Sequence, residues 1–501
     1  MYLCIFLVYR HGTFLKGLRM ENINKVLSVF KSFFGFFKGV AVDFIKGDIC
    51  VKLSVLVMGV GFLRRRQYIK GILITLFQLA IILFFISFAF PNLSKFGSLG
   101  TVVFATEFNF ETMRNEVNDY DHSFRILIYS LFSIVVLTAA LFLWLKNIRD
   151  VRKIEITDRA GKHIPTFIEE VKSLRDHRFH LVLLSLPCLG IILFTIIPLM
   201  VMILVAFTNY DQQNMPPAAL IDWVGFANFR TLFANKATSA FGYAFGKVLG
   251  WTLTWAFLAT FTCYIGGIML SLFINNAKTK FKQLWRTMFV VTIAVPQFVS
   301  LLVVRNFFAN TGIVNTYFNQ WGVTDFLKNI GLVAQHLDFV PFLTNPTWAK
   351  FMIVAINVWV GVPYLMLIAT GILMNIPQEL YESARIDGAS PFKTFIHITM
   401  PYMLFVTAPF LVMSVVANIN NFNIIYLLTQ DVYTTMDQTL ANVNAKEIDL
   451  LVTWLYRLTQ EYYNYKMASV IGILVFLVCA VFTLIAFNLV LKKNKEDKFQ
   501  L

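Results

Sequence analysis

The chain has 501 residues, of which 57% are hydrophobic and 14% charged, with 52 phenylalanines and a formal net charge of +15. Soluble domains carry about 45–50% apolar and about 25% charged residues, so too little polar material is present to cover two or three water-soluble domains. An ordinary cytosolic enzyme, a disordered scaffold and a disulfide-stapled secreted module are excluded, which leaves an integral membrane protein.

Residues 1–70 read as a cytoplasmic or interfacial extension. Residues 2–9 are apolar but short and lack a basic n-region, so no cleaved signal peptide is expected, and Met20 is an alternative start. Over residues 30–44, Phe30, Phe33, Phe34, Phe37 and Phe44 share one helical face and Lys31 and Lys38 lie toward another, the pattern of an interfacial amphipathic helix. The apolar stretch 53–63 is too short to span, and is expected to lie against the membrane or re-enter it.

A helix needs about 20 apolar residues to cross a bilayer, since its backbone polar groups must be satisfied within the segment. Eight stretches reach that length: 71–90, 126–145, 181–207, 249–274, 287–309, 350–374, 402–428 and 467–490. With the N-terminus inside, 31 of the 43 basic residues fall in inner segments and 10 in outer ones, while Arg125 and Arg305 lie at or within spans. This bias puts both termini in the cytoplasm of a multi-pass plasma-membrane protein. The expected fold is all-α and polytopic. Residues 71–145 supply two N-terminal helices, 146–180 a cytoplasmic linker, 181–490 a six-helix core and 491–501 a cytoplasmic tail.

The charge does not point to nucleic acid, because the basic residues sit in short clusters beside apolar runs. Cys4, Cys50, Cys188, Cys263 and Cys479 are far apart and no CxxC or HExxH spacing occurs, so neither a metal nor a cofactor is expected. None of the spans contains Asp, Glu or His, which argues against a proton- or sodium-coupled carrier and against a cation channel. No His/Asp/Glu constellation supports a membrane-embedded enzyme. The driving force is then sought in the cytoplasmic loops.

The loop 375–401 runs from Asn375 to Pro401. Pro377 suits the first turn of a helix, Gly388 its C-cap, and Ser390–Pro391 the start of a second helix that Pro401 ends. Glu382, Ser383, Ala384, Gly388, Ile398 and Pro401 reproduce the EAA-x3-G-x9-I-x-L-P spacing of binding-protein-dependent ABC importers, with Ser383 for Ala and Met400 for Leu as departures. Asp387, Ala389 and Phe395 also agree with the loop's flanks. The sequence resembles that family over roughly residues 50–498, and looks most like the larger permease subunit of maltose/maltodextrin importers in its Gram-positive branch. Residues 208–248 form only a short loop where Gram-negative relatives carry an extra domain.

The resemblance implies the ABC type I importer permease fold, with Glu382, Ser383, Ala384, Asp387 and Gly388 contacting a dimer of ATP-binding subunits. No P-loop is present in this chain, so ATP hydrolysis falls to that separate subunit and the chain is not itself an enzyme. A second permease subunit, an extracellular solute-binding protein and surrounding membrane lipid complete the implied partners. In the seventh span Ser414, Asn418 and Asn421 lie on one face, and their hydroxyl and amides can pair with sugar hydroxyls. The family's oligosaccharide site, carried onto matching positions, gives Gly361, Tyr364, Ser414, Asn418 and Asn421. Maltose subunits carry an aromatic ring where this chain has Ala417. The alternatives are the same machine with another cargo, such as galacto-oligosaccharides, or a secondary carrier. For the polar residues the competing role is simple helix-to-helix bonding.

Overall fold

The structure is a computed structural model that describes residues 31, 34–110, 113–234, 239–276, 278–430 and 432–494, with side chains to residue 489. Met20, Phe30, Phe33 and the stretch 2–9 fall outside the described residues. The chain divides into two compact units, residues 1–201 with 216–221, and residues 202–215 with 222–501.

In the first unit a helix over 34–46 (α1) is followed by the short turns Ile49–Leu53 and Val60–Leu63. Then come α2 (Tyr68–Ser94) and α3 (Ser123–Arg159), joined through a two-stranded antiparallel hairpin, β1 (Thr106–Asn109) and β2 (Arg114–Val117). That hairpin is a small departure from the all-helical expectation. On α1, Phe36 and Val40 pack inward while Phe34, Phe37 and Ile45 are exposed, an apolar face of the kind an interfacial helix presents.

The stretch 53–63 packs on α2 and α3. Val51 and Phe62 pack on Ile148 and Val151 of α3, and the turn between them runs alongside α2. Gln78 accepts from the Met58 amide at 2.9 Å and donates to the Leu56 carbonyl at 2.7 Å. Trp144 donates to Val55 and Asn147 to Met58, each at 3.0 Å. Gln78 lies ten residues into α2, about 15 Å of helix rise. Side chains therefore satisfy this irregular backbone, which permits a re-entrant course. Below it, Glu155 is buried between Arg152 and Arg159, both at 2.6 Å.

Next in the chain is α4 (Phe179–Val205), which passes from the first unit into the second. The second unit contains α5 (Ala240–Asn275), α6 (Lys282–Ala294), α7 (Gln297–Phe307), α8 (Pro346–Leu373), α9 (Gln378–Ile386) and α10, which begins at Pro391 and ends with Met400–Ile419. It closes with α11 (Phe422–Thr429), α12 (Leu451–Gln460) and α13 (Tyr465–Asn494). Among the described residues seven helices are long and apolar enough to cross a membrane, or eight if α6 and α7 count as one span.

Two expectations are corrected here. The stretch 287–309 is not a straight span, because α6 and α7 meet at 93°. Pro296 lacks an N–H and drives Val295 into an extended conformation with ψ 125°. Conversely, Pro401 does not break its helix. A π turn, Phe395–Thr399, precedes it, and the Met400 amide reaches back to the Phe395 carbonyl. The π turns Phe85–Ala89 and Ile192–Ile196 stand in the same register before Pro91 and Pro198. Widening the helix one residue early relieves the clash between the proline ring and the preceding turn, so the helix runs on.

α5 and α8 form the central seam of this unit. A Cβ on Gly267 would sit 2.6–3.0 Å from Leu365 and the Met366 backbone, and one on Gly361 would sit 2.9 Å from the Cys263 sulfur. Missing side chains thus let the backbones approach, as is usual for helix pairs in lipid. At the end of this seam opposite α9, α12 is anchored by a buried ion pair, Asp449–Arg457 at 2.6 Å, with Thr453 and the Lys446 amide also donating to Asp449. Burial drives the Asp449 carboxyl upward in pKa, while Arg457 opposes that shift. Asp449→Ala leaves the guanidinium buried and uncompensated, and is expected to cost about 3–5 kcal/mol. A marked fall in the thermal midpoint of the purified chain checks this; an unchanged midpoint refutes it.

Candidate functional site

α9 begins after Pro377 and ends in a tightly bonded cap. The Gly388 amide donates to Arg385 at 3.1 Å and the Ala389 amide to Ala384 at 2.9 Å, the two bonds of a Schellman motif. Gly388 adopts φ +68°, a left-handed conformation that glycine takes without strain. Ser390 then caps the next helix by accepting from the Lys393 amide at 3.3 Å. The Tyr381 hydroxyl bonds Thr399 at 3.0 Å, which ties α9 to the π turn at the foot of α10. Ala384 is buried against this support, whereas Glu382, Ser383, Asp387 and Gly388 are exposed. Leu380 and Ile386 on α9, and Phe392 at the start of α10, are exposed apolar side chains, and Ile386 is 87% exposed. α9 is therefore a rigid, projecting helix with acidic and apolar groups available to a partner surface.

The second set of residues lies higher in the same helices. Tyr364 on α8 is half exposed, and its ring lies 6.4 Å from that of Phe410 on α10. Ser414 and Asn418 follow Phe410 at one-turn intervals on α10, both half-buried. The Asn418 amide donates to Thr260 of α5 at 2.9 Å, its carbonyl oxygen on the backbone accepts from the Trp255 indole at 3.0 Å, and Asn421 donates to its side-chain oxygen at 3.4 Å. Asn421 also caps α11 through the Ile424 amide. Tyr364, Ser414, Asn418 and Asn421 thus run along one edge of α8 and α10. Gly361 lies on α8 against Cys263 of α5, where a Cβ would meet the sulfur at 2.9 Å.

Sequence reasoning missed Thr260, Trp255 and Phe410. Thr260 was detectable as a hydroxyl inside the apolar run 249–274, and Phe410 as the ring one turn before Ser414, but only the packing of α10 on α5 and α8 assigns them partners. At the end of the seam away from α9, a cleft of about 430 Å³ is lined by Lys247, Trp251, Lys350 and Glu447 among others. The Lys350 ammonium lies 4.7 Å from the Trp251 ring centre. Nearby, a hydrogen bond from Lys247 at 2.9 Å, together with one from Tyr243, holds the Asp437 carboxyl well below the usual carboxylate range.

Residues 264–495 match the family of binding-protein-dependent transport system inner membrane components. The maltodextrin transport system permease protein MalC of Streptococcus pneumoniae is 29% identical over 92% of this chain and 100% of its own length. MdxF, a maltodextrin transport system permease protein of Bacillus subtilis, is 34% identical over 74% of this chain and 82% of its own. GanP, the galactooligosaccharides transport system permease protein of the same organism, is 30% identical over 85% and 94%. With its projecting α9 and its apolar spans, the chain belongs to the multi-pass membrane permease subunits of binding-protein-dependent ABC importers.

Proposed function

We propose that the chain forms half of the translocation pathway of an importer for maltodextrin-type oligosaccharides, with a second permease subunit as the other half. The observation that carries this reading is the α9 cap, a rigid exposed helix fixed between two spans. A dimer of ATP-binding subunits seats Glu382, Ser383, Ala384, Asp387 and Gly388, and closure of that dimer turns α8 and α10 through α9. ATP is hydrolysed by those subunits. Both chain termini are cytoplasmic, and an extracellular solute-binding protein delivers the cargo. Tyr364 and Phe410 offer aromatic faces to the sugar, while Ser414, Asn418 and Asn421 exchange hydrogen bonds with its hydroxyls. Gly361 supports this set from behind by allowing α8 to approach α5. The maltodextrin relatives support the cargo class; a galacto-oligosaccharide cargo is favoured by the similarity to GanP, which covers most of both chains.

Three outcomes test this. Proline cannot reach φ +68°, so Gly388→Pro is expected to abolish uptake while the chain still inserts and assembles; uptake at the unaltered rate would remove the coupling role of α9. Asn418→Leu is expected to cost about 1 kcal/mol in stability, the scale of one hydrogen bond between membrane helices, and to lower sugar-stimulated ATP hydrolysis by the assembled transporter. If the stimulation persists undiminished, Asn418 serves only to join α10 to α5. Finally, deletion of the gene should eliminate uptake of labelled maltotriose, with longer maltodextrins competing in the intact strain. Competition by galacto-oligosaccharides alone would transfer the cargo to that class.

A further inference from the structure

The first unit carries a groove that the transport reading does not use. Where α3 leaves its apolar stretch, Phe142, Lys146, Arg149 and Lys153 follow at intervals of four, three and four residues and so share one face. α1 lies against that face. The Phe36 ring stacks on Phe142 with centres 5.3 Å apart, and the Arg149 guanidinium lies 5.3 Å from the Phe36 ring centre. Together with Asp150 these residues line a groove of about 310 Å³ whose floor is aromatic and whose rim is basic. The acids present are already engaged, Asp43 by Arg149 at 3.3 Å and Asp150 by Lys153 at 3.6 Å. Lys146 is exposed and has no carboxylate at ion-pair distance among the described residues. The groove therefore retains net positive charge.

We propose that this groove binds an anionic phospholipid of the leaflet that meets this end of α3. Its phosphate is held by Lys146 and Lys153, and its acyl chain lies along Phe142 and Phe36. Three features select that occupant. The basic rim begins at Lys146, the first charged residue after the apolar stretch of α3, which is the depth at which headgroup phosphates lie. The floor is hydrocarbon-like where an acyl chain would enter. On its far side α1 exposes Phe34, Phe37 and Ile45, a face that lipid covers. Arg149 acts as a positioning residue, since Asp43 and Phe36 hold it and it in turn fixes α1 on α3. The proposal needs only the membrane setting of the chain and is independent of the cargo.

The test uses the assembled transporter released in detergent and read by native mass spectrometry, titrated in turn with phosphatidylglycerol, phosphatidylcholine and inorganic phosphate. The unaltered protein should retain phosphatidylglycerol in preference to phosphatidylcholine. K146Q combined with K153Q should weaken phosphatidylglycerol binding about thirtyfold and leave phosphatidylcholine unaffected, while K146R with K153R retains binding. Phe142→Ala should weaken retention of both lipids. Equal retention of the two lipids by the unaltered protein, or phosphatidylglycerol binding untouched by the glutamine pair, would overturn the site. Displacement of the lipid by inorganic phosphate at matching concentration would make it an anion site without a lipid component, which also overturns the proposal. Equal thermal midpoints for the glutamine and arginine pairs establish that a lost lipid is not a lost fold.

Discussion

Backbone groups in hydrocarbon have no water to turn to, and this constraint shapes several of the interruptions in the described helices. Three π turns each come just before a proline, at Pro91, Pro198 and Pro401, so that a bond to the fifth preceding residue is made immediately before the position that has no N–H. Where a helix stops altogether, side chains replace the missing ladder. Gln78, Trp144 and Asn147 bond the turn near residues 55–58. Trp255 takes the Asn418 carbonyl where α10 ends, and Asn421 caps α11. Several polar residues inside the apolar runs thus serve as partners of broken backbone, while others, such as Tyr264 with Thr407 and Ser271 with Thr370, bond one helix to the next.

That observation bears on the sugar site. Asn418 cannot be assigned to cargo simply because an amide is costly in lipid, since Thr260 and Asn421 already engage its side chain. It retains one amide hydrogen and an acceptor lone pair, so structural and cargo roles are compatible in one residue. Gly266, Gly267 and Gly361 let α5 and α8 approach closely, and α10 bonds α5 through Thr407 with Tyr264 and Asn418 with Thr260. α9 is attached to the same helices at their other end. The Tyr381–Thr399 bond ties α9 to the foot of α10.

In both units long helices are braced by buried charge placed outside the apolar stretches. Glu155 with Arg152 and Arg159 braces the extension of α3, and Asp449 with Arg457 anchors α12. Such pairs are weak contributors to net stability but strong specifiers of position, because an unpaired member is costly. Both groups lie outside the apolar stretches, Glu155 in the charged extension of α3 and Asp449 just ahead of α12.

The number and order of the spans were legible in the sequence because a bilayer demands long apolar runs; six of the eight stretches are single long helices, while 287–309 divides into α6 and α7 and 402–428 into α10 and α11. The α9 hairpin was legible because Gly388 and Ser390 act locally: a left-handed residue and a side-chain cap each need only their neighbours. Pro296 and Pro401 show the limit of that logic. The same residue type bends the chain by 93° in one place and is absorbed by a π turn in the other, and the choice rests on which surroundings can take up the freed carbonyl groups. Gly361, read from the sequence as part of the cargo site, packs closely against Cys263 of α5, a contact that the sequence did not reveal. Length, apolar runs and short-range caps thus determined what crosses the membrane and what projects from it. Which polar group meets backbone or another helix was decided only by the packing of α5, α8 and α10, because burial of a polar side chain is satisfied by partners far away in the chain.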